Sequence, residues 1–263
     1  MPVNHSFNVI YIGGPTAIFE IGGLRVMTDP TLDPPGGTYH SGDLVHVKTK
    51  GPADVDIGPI DVVLLSHDQH YDNLDNAGRA FLQQVPVTYT TSPGAKRLQG
   101  TSVGMAVWQS VTMSTPDGGE LTITATPARH GPAGTEALQG EVIGFLLTMT
   151  GDGKELQIYI TGDTVYYEGI AEVARRSDPA YVFIFAGAAQ PRGPFVVTMR
   201  TNDAIDTAMT FPHAIIVPLH FEGWAHLTQN ENDLKRSFEI IHIEPRLQLL
   251  QPGVRTSLEI KSQ

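Results

Sequence analysis

Cysteine is missing altogether from the 263 residues. Disulfides, thiolate zinc sites and cysteine nucleophiles are excluded, so any metal must be held by histidine and carboxylate. Basic residues are scarce: 17 Lys and Arg stand against 28 Asp and Glu, a net charge of −11. Such a chain is unsuited to a nucleic-acid backbone or an anionic membrane, both of which need basic patches. No run approaches the roughly 20 apolar residues of a membrane span. Met1–Asn8 has no apolar signal core. The expectation is a soluble cytoplasmic protein acting on a small molecule, with no nucleic acid, no membrane span and its oligomeric state open. What is present in quantity is glycine (27) and proline (19), which favours strands and turns over a helical bundle. At 41% hydrophobic, the chain can bury a full core.

Alternation predicts strands at Phe7–Tyr11, Ala17–Ile21 and Leu24–Thr28, with Gly22-Gly23 as a hairpin turn between the last two. Thr31–Gly58, rich in Gly, Pro and Asp, reads as a long surface loop of the kind that carries function. Val62–Leu65 reads as a buried strand, followed by a helix from Leu74 to Leu82 capped by Asp72 or Asn73. Further strands are expected at Val87–Thr90, Ala106–Thr112, Leu121–Pro127, Gly144–Thr150, Leu156–Ile160, Tyr181–Phe185 and Ala214–Val217. Gly151-Asp152-Gly153 is another hairpin turn. Helices are expected at Gly94–Leu98, Tyr167–Arg176, Asn202–Phe211 (capped by Thr201 or Asn202) and Gln229–Ile240. The two halves resemble each other and no linker separates them. This predicts one domain over residues 1–263, two packed sheets with helices outside.

Metal-ligand residue types follow four buried strands. His67, His70 and Asp72 follow Val62–Leu65; His130 follows Leu121–Pro127; Asp163 follows Leu156–Ile160; His220 follows Ile215–Val217. A single histidine after an apolar strand is usually structural, but four such coincidences at carboxyl ends point to a site. Neutral imidazole suits zinc, iron or manganese, and carboxylate suits harder cations. A carboxylate such as Asp163 can bridge two ions, which together activate one water and stabilise the charge that develops.

With these residues in place, the chain resembles the metallo-β-lactamase superfamily. It is most similar to the branch of ascorbate-6-phosphate lactonases and N-acyl-phosphatidylethanolamine phospholipase D. The resemblance rests on Ile21–Pro30, Ser66–Asp75, His130, Thr161-Gly162-Asp163-Thr164 and Pro218–Trp224, in that order and spacing. It implies an α+β fold, a four-layer αββα sandwich with the site at one edge, and hydrolysis by metal-bound hydroxide. It also implies that Asp29 supports a ligand histidine from behind.

The family motif is His-x-His-x-Asp-His, whereas this chain reads His67-Asp68-Gln69-His70-Tyr71-Asp72-Asn73. Either the backbone bulges at Asp68-Gln69 and His70 takes the second histidine role, or Gln69 sits there and His70 is displaced. The bulge keeps Tyr71-Asp72 and the following helix in register. It gives a first site of His67, His70 and His130, suited to zinc. The second site is Asp72, Asp163 and His220, with the Asn73 amide as an optional weak ligand. One or two zinc ions are expected, the second site being weaker or preferring manganese or magnesium.

Catalytic roles fall to Asp163 and Asp72, and Asp68 is either a proton shuttle or a solvated turn carboxylate. Trp224 and His226 lie just past His220; His226 either leans over the site or starts a helix. Tyr39, His40 and His46 line a substrate mouth or are surface residues. The same alternatives hold for Tyr166, Tyr167, Arg129, Arg192 and Arg200. His5, His213 and His242 are structural or exposed. Gly13-Gly14-Pro15 is no phosphate loop, and no Gly-x-Ser-x-Gly elbow exists. Ser66 and His67 form no nucleophilic pair, since neighbours on an extended chain point apart.

The leading expectation is a metal-dependent hydrolase of an ester, lactone or phosphodiester. A mononuclear iron oxidoreductase on the same ligands is the second, marked by iron and oxygen consumption. A degenerate, non-catalytic metal-binding member is the third, marked by failure to bind metal.

Overall fold

The structure, a computed structural model, describes residues 6–151 and 154–259. His5 and the centre of the expected turn, Asp152-Gly153, lie outside them. Two sheets face each other. The first has seven strands in the order Arg255–Glu259, Ser6–Gly13, Thr16–Ile21, Leu24–Thr28, Val62–Leu64, Val87–Thr91 and Ser102–Met105. The second has six: Ile215–Leu219, Tyr181–Phe185, Lys154–Ile160, Ile143–Gly151, Glu120–Pro127 and Ser110–Ser114. Helices cover both outer faces, which gives the expected αββα sandwich.

The apolar strands are buried on both faces, and their side chains divide by parity. Val62 and Leu64 enter the core between the sheets, while Val63 and Leu65 join Leu74, Leu82 and Val85 under the outer helix. In the second sheet, Tyr181, Phe183 and Phe185 face inward. Val182 and Ile184 pack outward with Ile170, Val173 and Leu234. Across the centre, Phe183 meets Phe19 edge-on at 4.7 Å, a geometry favoured by the ring quadrupoles. Phe183→Ala is expected to lose about 3–5 kcal/mol in denaturant unfolding; a loss under about 1 kcal/mol would mean that this centre repacks freely.

Parallel pairing sets the site. Leu24–Thr28 runs parallel to Val62–Leu64, and Lys154–Ile160, Tyr181–Phe185 and Ile215–Leu219 run parallel to one another. Their carboxyl ends gather at one edge, where backbone polarity and loop freedom place ligands.

Several boundaries differ from expectation. The first helix spans Asn76–Leu82 and its cap is Asp75, whose carboxylate accepts the Gly78 N–H at 2.9 Å. Neither Asp72 nor Asn73 caps it, because the N–H groups of Asn73 and Leu74 still turn back to the His70 carbonyl. Ala106–Thr112 is not one strand: Trp108 adopts φ 69° in a turn before Ser110–Ser114. Arg200, not Thr201 or Asn202, precedes the helix Thr201–Thr210. The Thr31–Gly58 loop contains a hairpin, Thr38–Ser41 with Leu44–Val47, whose inward residues Tyr39, Leu44 and His46 are buried. The strand Arg255–Glu259, paired antiparallel to Ser6–Gly13, carries no strong pattern of its own.

Candidate metal centre

Three imidazoles converge at the shared edge. His70 Nδ1 lies 3.0 Å from His67 Nε2 and 3.1 Å from His130 Nε2. A tetrahedral zinc with bonds of about 2.0–2.1 Å holds its nitrogens roughly 3.3 Å apart, so the spacing fits one ion. The bulge reading matches this placement: His70 joins the cluster, and Gln69 turns toward Gly140. Burial pulls His67 and His70 well below the usual imidazole range, and pulls His130 down to about 4 against its hydrogen bond to Val197. All three are therefore neutral at pH 7.

The orientation of the rings is fixed from behind. His130 Nδ1 donates to the Val197 carbonyl at 2.8 Å, which leaves Nε2 bare. Ser66 Oγ donates to Asp29 Oδ1 at 2.6 Å and accepts from His67 Nδ1 at 3.0 Å. His67 Nε2 is then bare too. One His70 ring proton can serve only one of its two contacts at a time, whereas a cation accepts all three lone pairs. Ser66→Ala should weaken metal binding by about 10–100-fold in a chelator competition; unchanged affinity would show that packing alone orients His67.

Asp163 joins this trio to a second group. Its Oδ2 is 3.6 Å from His130 Nε2 and its Oδ1 is 3.6 Å from His220 Nε2. His220 Nε2 also lies 3.4 Å from Asp72 Oδ2. Burial pushes the Asp163 carboxyl well up, and the nearby Asp72 and Asp29 charges add to this. Burial also raises Asp72, but His46 and His226 outweigh it and hold that carboxyl well down. Both Asp163 oxygens, Asp72 Oδ1 and His220 Nε2 have no hydrogen-bond partner. Orphaned buried oxygens and converging lone pairs are what bound cations would satisfy, so the donor set fits metal. His220 adopts φ 53° and Asp29 φ 29°, left-handed conformations uncommon for non-glycine residues but more accessible to Asp and His.

Residues 24–221 match the model of the beta-lactamase superfamily domain. The chain belongs to this superfamily. One relative is a UPF0173 metal-dependent hydrolase of Caldivirga maquilingensis, 22% identical over 251 residues that cover 92% of this chain and 94% of that protein. Another is UPF0173 protein YddR of Bacillus subtilis, 24% identical over 239 residues, covering 87% and 91%. The isothiocyanate hydrolase from Delia radicum gut bacteria shares the fold, with a TM-score of 0.79 at 22% identity over 97% of this chain and 100% of that one. The chain thus stands among the metal-dependent hydrolases of the metallo-β-lactamase superfamily.

Within the superfamily pattern, several side chains lie elsewhere than expected. Asp68, expected as a proton shuttle or a solvated turn carboxylate, is buried instead and bound by Arg97. Arg97 grips both its oxygens, Nε at 2.9 Å and Nη2 at 2.5 Å, and turns the carboxylate toward the helix Ser92–Leu98. Asp29 reaches His67 through Ser66, accepting the Ser66 N–H at 2.9 Å as well as its hydroxyl; burial pushes its carboxyl up to about 8 against those bonds. Ser66 and His67 touch after all, but the hydroxyl is buried and spent on Asp29. Asn73 faces Asp29 and Asp163 and lowers both carboxyls, yet its amide makes no close hydrogen bond.

His226 reaches Asp72, and Trp224 is buried beside Tyr39 and Lys48. His46, expected at a mouth or a surface, is 1% exposed and lies against Asp72. His40, His213 and His242 are exposed. Tyr167 stacks under Arg129 at 4.5 Å. Lys48 and Asp75 went unnoticed in the sequence. Lys48 Nζ donates to Asp75 at 2.9 Å and to the Thr31 carbonyl at 2.8 Å, tying the early hairpin to the first helix.

Proposed function

We propose that this metal-dependent hydrolase cleaves an ester, lactone or phosphodiester. Zinc would sit at His67, His70 and His130, and a second ion, zinc or manganese, at Asp72, Asp163 and His220. The observation that carries this reading is Asp163, one buried carboxylate with an oxygen 3.6 Å from each ligand group and neither oxygen partnered. When bound, such ions supply Lewis acidity and acidify a water molecule for attack. The chain contributes charge placement: three neutral imidazoles leave the first ion's positive charge largely undiminished for a substrate oxygen. Asp72 places its negative charge on the second ion's side, and Asp163 lies between the two groups.

A cavity of about 500 Å³ is lined by Arg129, Tyr166, Gln190, Phe195 and Arg200, and by none of the candidate ligands. Arg129 precedes His130 in the chain, and the Gln190 N–H is bound by the His226 carbonyl. Two guanidiniums on that wall favour a substrate carrying an anionic group. That agrees with the resemblance to lactonases and phosphodiesterases of phosphorylated compounds. The whole 1–263 span is read as one domain acting on a small molecule.

A metal-replete screen against lactones, phosphodiesters and acyl amides, with metal content measured in parallel, tests this. Turnover that tracks zinc or manganese content is the expected result. Full activity with one ion overturns the two-ion arrangement. Iron with oxygen consumption, or no metal binding at micromolar levels, overturns the hydrolase reading itself.

A further inference from the structure

We infer that His46 and His226 are ligands of the second ion, supplying the imidazole that Asn73 does not. This rests on the two-ion reading above. Asp72 stands at the centre of three imidazoles. His226 Nε2 is 2.8 Å and His220 Nε2 3.4 Å from its Oδ2, and His46 Nε2 is 3.4 Å from its Oδ1. The donor atoms of His46, Asp72 and His226 lie close enough to share one ion. A simple ion pair with Asp72 would need one imidazole. Three on one carboxylate leave Asp72 Oδ1 and His220 Nε2 unpartnered, which is what a cation between them would resolve.

The chain builds this arrangement from two distant segments that are stitched together. Lys48 and Trp224 form an isolated antiparallel bridge, the Ala225 N–H donates to the Val47 carbonyl at 3.0 Å, and the Thr49 N–H donates to the Gly223 carbonyl at 2.7 Å. His46 and His226 flank that bridge, with ring centroids 5.0 Å apart. Lys48, on the same face of the hairpin as His46, is buried on Asp75 and locks the register. Trp224 packs edge-on against His46 at 6.3 Å. Asn73 faces Asp29 and Asp163 instead. Three imidazoles with carboxylate make a borderline-soft set that selects zinc over magnesium, which demands oxygen ligands. The set thus suits zinc rather than magnesium, with the second ion held toward His46 and His226.

The test is zinc per chain after gel filtration, with ion positions from anomalous diffraction at the zinc edge. Wild type should carry two zinc ions, one of them beside His46 and His226. The double variant His46→Ala/His226→Ala should keep one, at His67, His70 and His130, and Asn73→Ala should keep both. Two ions in the double variant, or loss of one in Asn73→Ala, overturns the inference. Wild type with zinc only at the first trio overturns it too, while leaving the trio standing. No zinc anywhere removes the underlying functional reading. Should the double variant fail to fold by circular dichroism, single His46→Gln and His226→Gln variants take its place. Each should weaken the second zinc by roughly tenfold or more, and unchanged binding overturns the inference.

Discussion

Dialysis against a strong chelator is expected to lower the melting temperature by roughly 10 °C, and added zinc should restore it. The size follows from linkage: a ligand at about a thousand times its Kd stabilises by about 4 kcal/mol, and each kcal/mol moves the midpoint of a chain of this size by about 2–4 °C. The direction follows from the centre itself. Without a cation, three ring nitrogens meet at 3.0–3.1 Å with one shared proton between them. Asp163 keeps two buried oxygens unpartnered, beside the Asp72 and Asp29 carboxyls. Differential scanning calorimetry of chelated and zinc-replete protein reads this directly. A melting temperature indifferent to both treatments would mean that the cluster is satisfied by its own hydrogen bonds.

Asp163→Asn is expected to reduce turnover by about a thousandfold or more, because it removes the one charge that faces both ligand groups. The substitution preserves volume and adds hydrogen-bonding capacity, so the fold should persist. His130→Ala should be as damaging, since the imidazole locked by Val197 is removed. Steady-state kinetics on whichever substrate the screen identifies provides the measurement. Activity retained in Asp163→Asn sinks any mechanism built on a shared carboxylate.

Much of the architecture was legible because the strands are simple. Val62–Leu65 and Tyr181–Phe185 are apolar at every position, which requires burial on both faces and so a layer on each side. The Gly22-Gly23 turn was legible too: both residues have positive φ, 59° and 81°, which glycine adopts without strain. His67, His130, Asp163 and His220 stood out because each follows such a strand.

His46 stood out only as a mouth or surface residue, because glycine and proline around it suggested a structureless loop. A signal was present: Leu44-Val45-His46 alternates, and Gly42-Asp43 is a hairpin turn. The orientation of Asp68 was hidden for a different reason. Nothing local says which way its carboxylate points, and the partner that decides it, Arg97, lies 29 residues away. Pairings of that kind, like Lys48 with Asp75, belong to tertiary structure, and no periodicity announces them.

The candidate ligands are drawn from both sheets. His67, His70 and Asp72 hang from the first, while His130, Asp163 and His220 hang from the second. Neither sheet alone brings together either group of side chains. If these side chains hold metal, its uptake would report that the two sheets have docked in register, so the metal content of a variant would double as an assay of its assembly.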